Sequence, residues 1–377
     1  MRLLFAILLA VHGLIHLMGF AKAFGLAKLP QLVQPISRPM GVAWLAAALL
    51  LALTAVAVFA MPRWWWALGG VALVLSQIVI ASSWSDARYG TIANAPILVG
   101  VVLGFLSQGP VSLRAEYDRE VERILARRAP AAPISQADLA RLPTPVRRYL
   151  QVSGAAGQER TRNFRAQFGG RIRSDRQARW MPFTADQIEA FDEPVRLFYM
   201  DATMLGIPVQ VMHVYRGSTA TMRVRAAGLV TLVDARGPEL DRAETVTLFN
   251  DMCVLAPGSL LDPRIRWQEI DERSARATFT NGGHAIIADL FFDGAGQLAD
   301  FASDDRSRSS PDGKSFERMR WTTPVRDYRS FGPWRVSTRA ETRWHPKGGE
   351  FTYGEFELLD IMHDVGRGGP ATEGAAR

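Results

Sequence analysis

The sequence predicts an N-terminal four-helix transmembrane bundle followed by a C-terminal, mainly antiparallel β domain with one inserted helix. Three observations carry this reading. Four long uncharged apolar runs fill residues 1–113, the apolar period changes to two after residue 160, and glycine-rich turn sequences punctuate the strands that follow. The implied organisation is an anchor over 1–113, a helical linker over 114–150, a β-rich domain over 151–362 and a disordered tail over 363–377.

The charges separate the two halves. Residues 1–113 hold six basic residues (Arg2, Lys22, Lys28, Arg38, Arg63, Arg88) and one acid, Asp86. Of the chain's 44 basic and 37 acidic residues, 38 and 36 are left for the remainder. The basic excess therefore belongs to the flanks of the apolar runs. Nucleic-acid binding needs clustered, uncompensated Lys and Arg, and no such groove is present: the densest stretch, Arg119 to Arg128, is interleaved with Asp118, Glu120 and Glu122. That stretch reads as a solvated helix, with a basic face on anionic headgroups as the alternative. The single cysteine, Cys253, excludes an internal disulfide and any multi-cysteine metal centre.

Residues 3–21, 40–61, 64–83 and 91–113 are each long enough to cross a hydrocarbon core about 30 Å thick. Trp64, Trp65 and Trp66 follow Pro62-Arg63, and Trp84 and Tyr89 close the third run, as interfacial anchors do. The first run has a rival reading as a secretory signal ending at Ala21-Lys22-Ala23, but its length, its two histidines and the three spans after it favour a retained helix. The chain is thus expected in the cell membrane as a multi-pass protein with membrane lipids as neighbours. The flanking charges leave the side of the C-terminal domain open. His12 and His16 share one helix face. They suit a metal only if a third ligand joins them, and otherwise hydrogen-bond to neighbouring helices; a quinone or proton-relay role is the further alternative.

Within the linker, helix is expected over 116–128, a Pro/Ala break over 129–133 and a short capped helix from Ser135. Phe164, Ala166 and Phe168 then alternate with polar residues, as do Ile207, Val209 and Val211. Similar runs recur over 195–204, 220–226, 229–233, 265–270, 275–280, 285–292, 298–303, 316–325, 334–344 and 351–358. Turn sequences at 216–218, 281–283, 293–296 and 311–314 supply the positive φ of tight hairpins. Residues 241–255 interrupt with helical spacing. About a dozen antiparallel strands with one helix imply a large curved sheet or open barrel covered by that helix.

The sequences Leu142-Pro143-Thr144-Pro145-Val146-Arg147-Arg148-Tyr149-Leu150, Trp180-Met181-Pro182-Phe183-Thr184-Ala185-Asp186-Gln187, Tyr215-Arg216-Gly217, Leu255-Ala256-Pro257 and Ile265-Arg266-Trp267 resemble an uncharacterised bacterial domain-of-unknown-function family. The resemblance covers residues 142–360 and brings no activity with it. The strand succession is also similar to the half-barrels of the LolA and LolB lipoprotein carriers, which implies a LolA-like half-barrel with an inserted helix and, by analogy only, a place for acyl chains.

Familiar catalytic templates are missing: there is no Gly-x-Ser-x-Gly elbow, Walker loop, dinucleotide glycine motif or His-Glu-x-x-His in the C-terminal part. No cofactor is implied. His213, His284 and His345 are scattered, Asp300, Asp304 and Asp305 read as a solvated turn, and Ser259 has no histidine near it. What remains is an aromatic and methionine supply larger than one sheet face needs. The expected site for a lipid or other apolar ligand is Trp180, Phe183, Met204, Met212, Tyr215, Phe249 and Trp267, with the 241–255 helix as lid and an ordinary packed core as the alternative. A second expectation is a membrane-associated enzyme using His213 or His284 with a carboxylate on a lipid-like substrate.

Overall fold

The computed structural model describes residues 2–125, 132–310 and 313–366. Parts of the predicted helix over 116–128, the break over 129–133, the turn at 311–314 and the tail from 367 lie outside the described residues. The chain divides into two compact units, one built on Met1–Glu116 and the other on Tyr117–Ala226 and Val230–Arg377.

The first unit contains α1 (Arg2–Ala23), α2 (Arg38–Ala60), α3 (Trp65–Ser82), the short α4 (Trp84–Ala87) and α5 (Gly90–Gln108). Four of its helices are long and apolar enough to cross a membrane, and they make this a multipass membrane protein. Outward side chains such as Leu4, Leu14, Val56 and Ile92 are apolar and exposed, the reverse of a water-soluble bundle. The polar residues face inward. His12 Nε2 lies 3.0 Å from Asn94 Oδ1 and 3.3 Å from Ser76 Oγ, and Asn94 Nδ2 donates to Gln77 Oε1 at 3.0 Å. His16 Nδ1 donates to the His12 carbonyl at 2.8 Å while its ring packs on Trp44. The histidine pair thus takes hydrogen bonds within the bundle.

The second unit takes in the greater part of α6 (Leu113–Leu125), then α7 (Gln136–Ala140) and α8 (Thr144–Val152). Ser135 caps α7 in a reciprocal box with Asp138. Strands β1 (Asn163–Ile172), β2 (Met181–Ala190), β3 (Val195–Met204), β4 (Ile207–Arg216), β5 (Thr219–Ala226) and β6 (Val230–Arg236) form an antiparallel meander. The helix α9 (Pro238–Leu255) follows, then β7 (Ile265–Asp271), β8 (Ser274–Asn281), β9 (His284–Phe292), β10 (Leu298–Ser303), β11 (Ser307–Ser309), β12 (Phe316–Arg318), β13 (Trp321–Thr322), β14 (Val325–Phe331), β15 (Trp334–Trp344) and β16 (Phe351–His363). Gly217, between β4 and β5, and Gly282 and Gly283, between β8 and β9, all take positive φ, which is why glycine stands at these turns.

One 14-stranded sheet runs in the order β6-β5-β4-β3-β2-β1-β16-β15-β13-β10-β9-β8-β7, with β14 paired to β15. Its end strands, β6 and β7, share no ladder among the described residues, so the sheet is open. This corrects the expected LolA-like half-barrel. The physical reason is the connection: β6 and β7 are joined by an 18-residue helix rather than a turn. That helix packs on β5 and β6 at one end of the sheet and on β9 and β10 at the other, so it occupies the face that a curled sheet would enclose. Alternation along each strand says which face is apolar, but it does not say whether distant strands meet.

Two local differences have plain causes. Strand β2 departs from the sequence expectation: Pro182 stands near its start and the inward row of Phe183, Ala185, Gln187 and Glu189, all buried, turns from apolar to polar halfway along. The run over 316–325 is broken into β12, β13 and the start of β14, and Phe316 begins a strand that pairs with β11 in a separate two-stranded sheet.

Candidate functional site

Period two places whole rows of side chains on the sheet face beneath α9. Ala185, Met200, Val211, Val224 and Val233 stand opposite one another across five strands, and beside them run Gln187, Phe198, His213, Met222 and Ala235. On α9, Leu240, Ala243, Thr247, Asn250 and Val254 recur at helical spacing and meet these rows. They do not fill the space. A cavity of about 470 Å³ remains, walled by Met200, Val211, Val224, Phe356 and Leu358 and roofed by α9. Its partly exposed rim carries Arg173, Ser174, Arg308, Ser309 and Leu232.

A cluster of charges is built into one wall. Arg196 Nε donates to Asp251 Oδ2 at 2.7 Å and its Nη1 to Glu244 Oε2 at 3.1 Å, while Gln187 Nε2 bridges Asp251 (2.8 Å) and Glu189 (3.0 Å). Arg306 is stacked on Trp321 and Trp344, donates to Thr247 Oγ1 and Tyr353 Oη, and lies 3.9 Å from Glu244. Burial and the neighbouring Asp251 charge push the Glu189 carboxyl well above the usual carboxylate range, against the pull of Arg196. Burial would raise Glu244 as well, but His213, Arg196 and Arg306 outweigh it and hold it down to about 2. The Arg196 and Arg306 guanidinium groups face Glu244 and Asp251. His213 Nδ1 lies 3.5 Å from Glu244 Oε1 but makes no hydrogen bond, and Asn250 Oδ1 and Thr323 Oγ1 on the same lining are also buried without a hydrogen-bond partner.

None of the seven residues expected at the site lies on this lining. Trp180 stacks against Arg171 and Arg173, Phe183 packs on Phe356 in the core, and Met204 is at the exposed end of β3. Met212 is fully buried on the opposite sheet face, one residue out of step with Val211 and His213. Tyr215 is on the inner face, but its hydroxyl is engaged with Thr245 Oγ1 and Asn281 Nδ2. Phe249 stacks on Phe279, and Trp267 donates to the Leu260 carbonyl, both on the side of α9 away from the cavity. Of the scattered polar residues, His284 opens β9 opposite Asn281, and His345 lies against Thr322. Ser259 is tied to the Ala256 carbonyl. Asp305 is paired with Arg242 and Arg318 and accepts from Ile287 N, Asp304 is paired with Arg320, and burial pushes Asp300 up to about 6, so the three aspartates form no cluster.

The sequence held two usable signals for what was missed. Parity along β3, β4 and β5 groups Phe198/Met200, Val211/His213 and Met222/Val224 on one face, and Glu244 and Asp251 are seven residues apart, hence on one side of a helix.

A family model described as a family of unknown function, DUF6544, matches residues 132–356. No curated protein matches the chain. Several solved structures align with it, among them the following three. A domain assigned as an outer membrane lipoprotein-sorting protein from Vibrio parahaemolyticus has 8% identity, covers 54% of this chain and 86% of its own, and has a TM-score of 0.34. The LolA superfamily protein NE2245 from Nitrosomonas europaea has 11% identity, 62% and 93% coverage, and a TM-score of 0.33. A DUF1329 family protein from Desulfovibrio piger has 11% identity, 62% and 94% coverage, and a TM-score of 0.28. These superpositions are loose. The family match spans 225 of the 377 residues, and the chain belongs to the family of unknown function DUF6544.

Proposed function

We propose that the second unit binds a lipid or other apolar molecule in the cavity beneath α9. The observation that carries this is an unfilled space of about 470 Å³ walled by Met200, Val211, Val224 and Phe356, in a domain whose interior is otherwise closely packed. Protein cores leave few voids larger than a water molecule, and small-molecule sites span roughly 300–1,000 Å³. The flexible side chains of Met200 and Met222 suit chains of differing shape. The covalent link to a membrane anchor holds the unit near a bilayer, where an apolar ligand is already concentrated, so modest contacts suffice for capture.

The test is lipid content. Full-length protein is stripped of loosely held lipid in detergent, and the retained lipid is extracted and measured by mass spectrometry. Wild type should keep about one ligand per chain, and Ala243→Trp or Val224→Trp, which fill the space from opposite walls, should keep none at unchanged thermal stability. Equal retention in all three proteins would refute the proposal. A second reading, an enzyme acting on the bound molecule, draws on the imidazole of His213 beside Glu244 within the lining. It predicts chemically altered ligand in wild type and unaltered ligand in His213→Asn.

A further inference from the structure

We propose that the ligand is an anionic amphiphile, its chain beneath α9 and its carboxylate or phosphate head held at the cavity rim by Arg173 and Arg308. This rests on the cavity reading above and adds the chemistry of the head. Several arginines of this unit face carboxylates: Arg171 faces Glu355, Arg276 faces Asp289, and Arg326 and Arg343 face Glu341. Arg173 and Arg308, at the cavity rim, face carbonyls and aromatic rings instead. Arg173 lies over the Trp180 ring and donates to the carbonyls of Thr352 and Arg176. Arg308 lies over the Phe351 ring and donates to the Ser174 carbonyl. Neither has a carboxylate ion pair among the described residues, and both line the cavity.

Carbonyls and aromatic faces fix where a guanidinium points without cancelling its charge, and a planar fork so held matches the paired oxygens of a carboxylate or phosphate. Among the described residues, carboxylates do stand near this rim. Glu317 is opposite Arg308 in the β11–β12 ladder but beyond ion-pair distance, Asp175 feels the Arg308 charge while accepting its hydrogen bonds from Gln177 N, Ala178 N and Ser174 Oγ, and Glu239 accepts from Ser307 Oγ. The interior offers an anion no comparable place, because Arg196 and Arg306 already face Glu244 and Asp251. Positive charge at the mouth and apolar walls within therefore orient a single molecule: tail in, anionic head out.

The experiment uses the full chain in amphipol with two fluorescent probes of one shape, cis-parinaric acid and its uncharged methyl ester. The acid should bind about tenfold more tightly than the ester, the value of one partly exposed charge-assisted contact. The preference should shrink with added salt. In the double variant Arg173→Gln/Arg308→Gln the ester should bind as before, which reports an intact fold, while the preference for the acid disappears. Equal binding of acid and ester to wild type, or a preference that survives the double variant, would overturn the inference and leave the cavity reading standing. Binding of neither probe would remove both. Displacement of the bound acid by oleate and by oleoyl lysophosphatidic acid, compared at equal concentration, tells whether carboxylate or phosphate is the preferred head.

Discussion

Replacing Arg196 by methionine removes the only cation among the described residues that touches both Glu244 and Asp251 at hydrogen-bond distance. The loss can be sized from the contacts. Arg196 makes two charged hydrogen bonds, 2.7 and 3.1 Å, inside a buried cluster, and charged bonds contribute about 1.5–3 kcal/mol each. Removing one partner of a buried pair costs about 3–5 kcal/mol, because the carboxylates left behind must either stay charged without a partner or take up a proton. For a unit of this size such a loss lowers the melting temperature by roughly 6–20 °C. The assay is thermal unfolding of the full chain in detergent at pH 7. A companion variant, Arg196→Met/Glu244→Gln/Asp251→Asn, removes the stranded charges and should recover most of the loss. A shift below about 2 °C for the single variant, or no recovery in the triple one, would refute the reasoning that these charges depend on one another.

Three further outcomes follow from the same geometry. Burial and the Asp251 charge raise the Glu189 carboxyl well above its ordinary range, so the neutral Glu189→Gln should leave stability at pH 5 within about 1 kcal/mol of wild type. Because its folded pKa is raised above the ordinary 4.5, wild type should lose stability as pH climbs beyond that value while the variant does not, as paired thermal scans from pH 5 to 9 would show. Burial depresses His363 from 6.5 to about 4, against its bond to the Leu255 carbonyl. Its contribution is therefore complete above pH 6.5 and is lost as pH falls toward 4, a loss of about 3 kcal/mol that His363→Gln should flatten in an acid titration of stability. Tyr149→Phe deletes the 2.8 Å bond from α8 to the Cys253 carbonyl at the end of α9 and should cost about 1–2 kcal/mol in the same melting assay.

How far the sequence could be read depended on whether a feature is local. The membrane helices were legible because some 20 apolar residues in a row leave no other economical structure, and β1 because Phe164, Ala166 and Phe168 keep strict alternation. Strand β2 was masked by Pro182 and by inward polar residues, Gln187 and Glu189, whose partners are supplied by Arg196 and by Asp251 more than 60 positions away. Side-chain size can be read from a sequence more readily than the sheet face a side chain takes. Met212 is larger than Val211, but one step along a strand reverses the face, and it is Val211 that meets the cavity. Phe249 and Asp251 show the same rule on a helix: the aromatic turns to the core, and the carboxylate turns to the lining. Whether β6 and β7 meet depends on the full width of the sheet, and no window of residues carries that information.

The most direct test is to map where an apolar ligand is held. Full-length protein is irradiated with a fatty acid carrying a diazirine midway along its chain, digested, and the modified residues located by mass spectrometry. Modification should fall on β3, β4 and β5 and on α9, around Met200, Val211, Met222 and Ala243, and it should vanish in Val224→Trp. Modification confined to α1, α2, α3 and α5, with none beneath α9, would contradict the account.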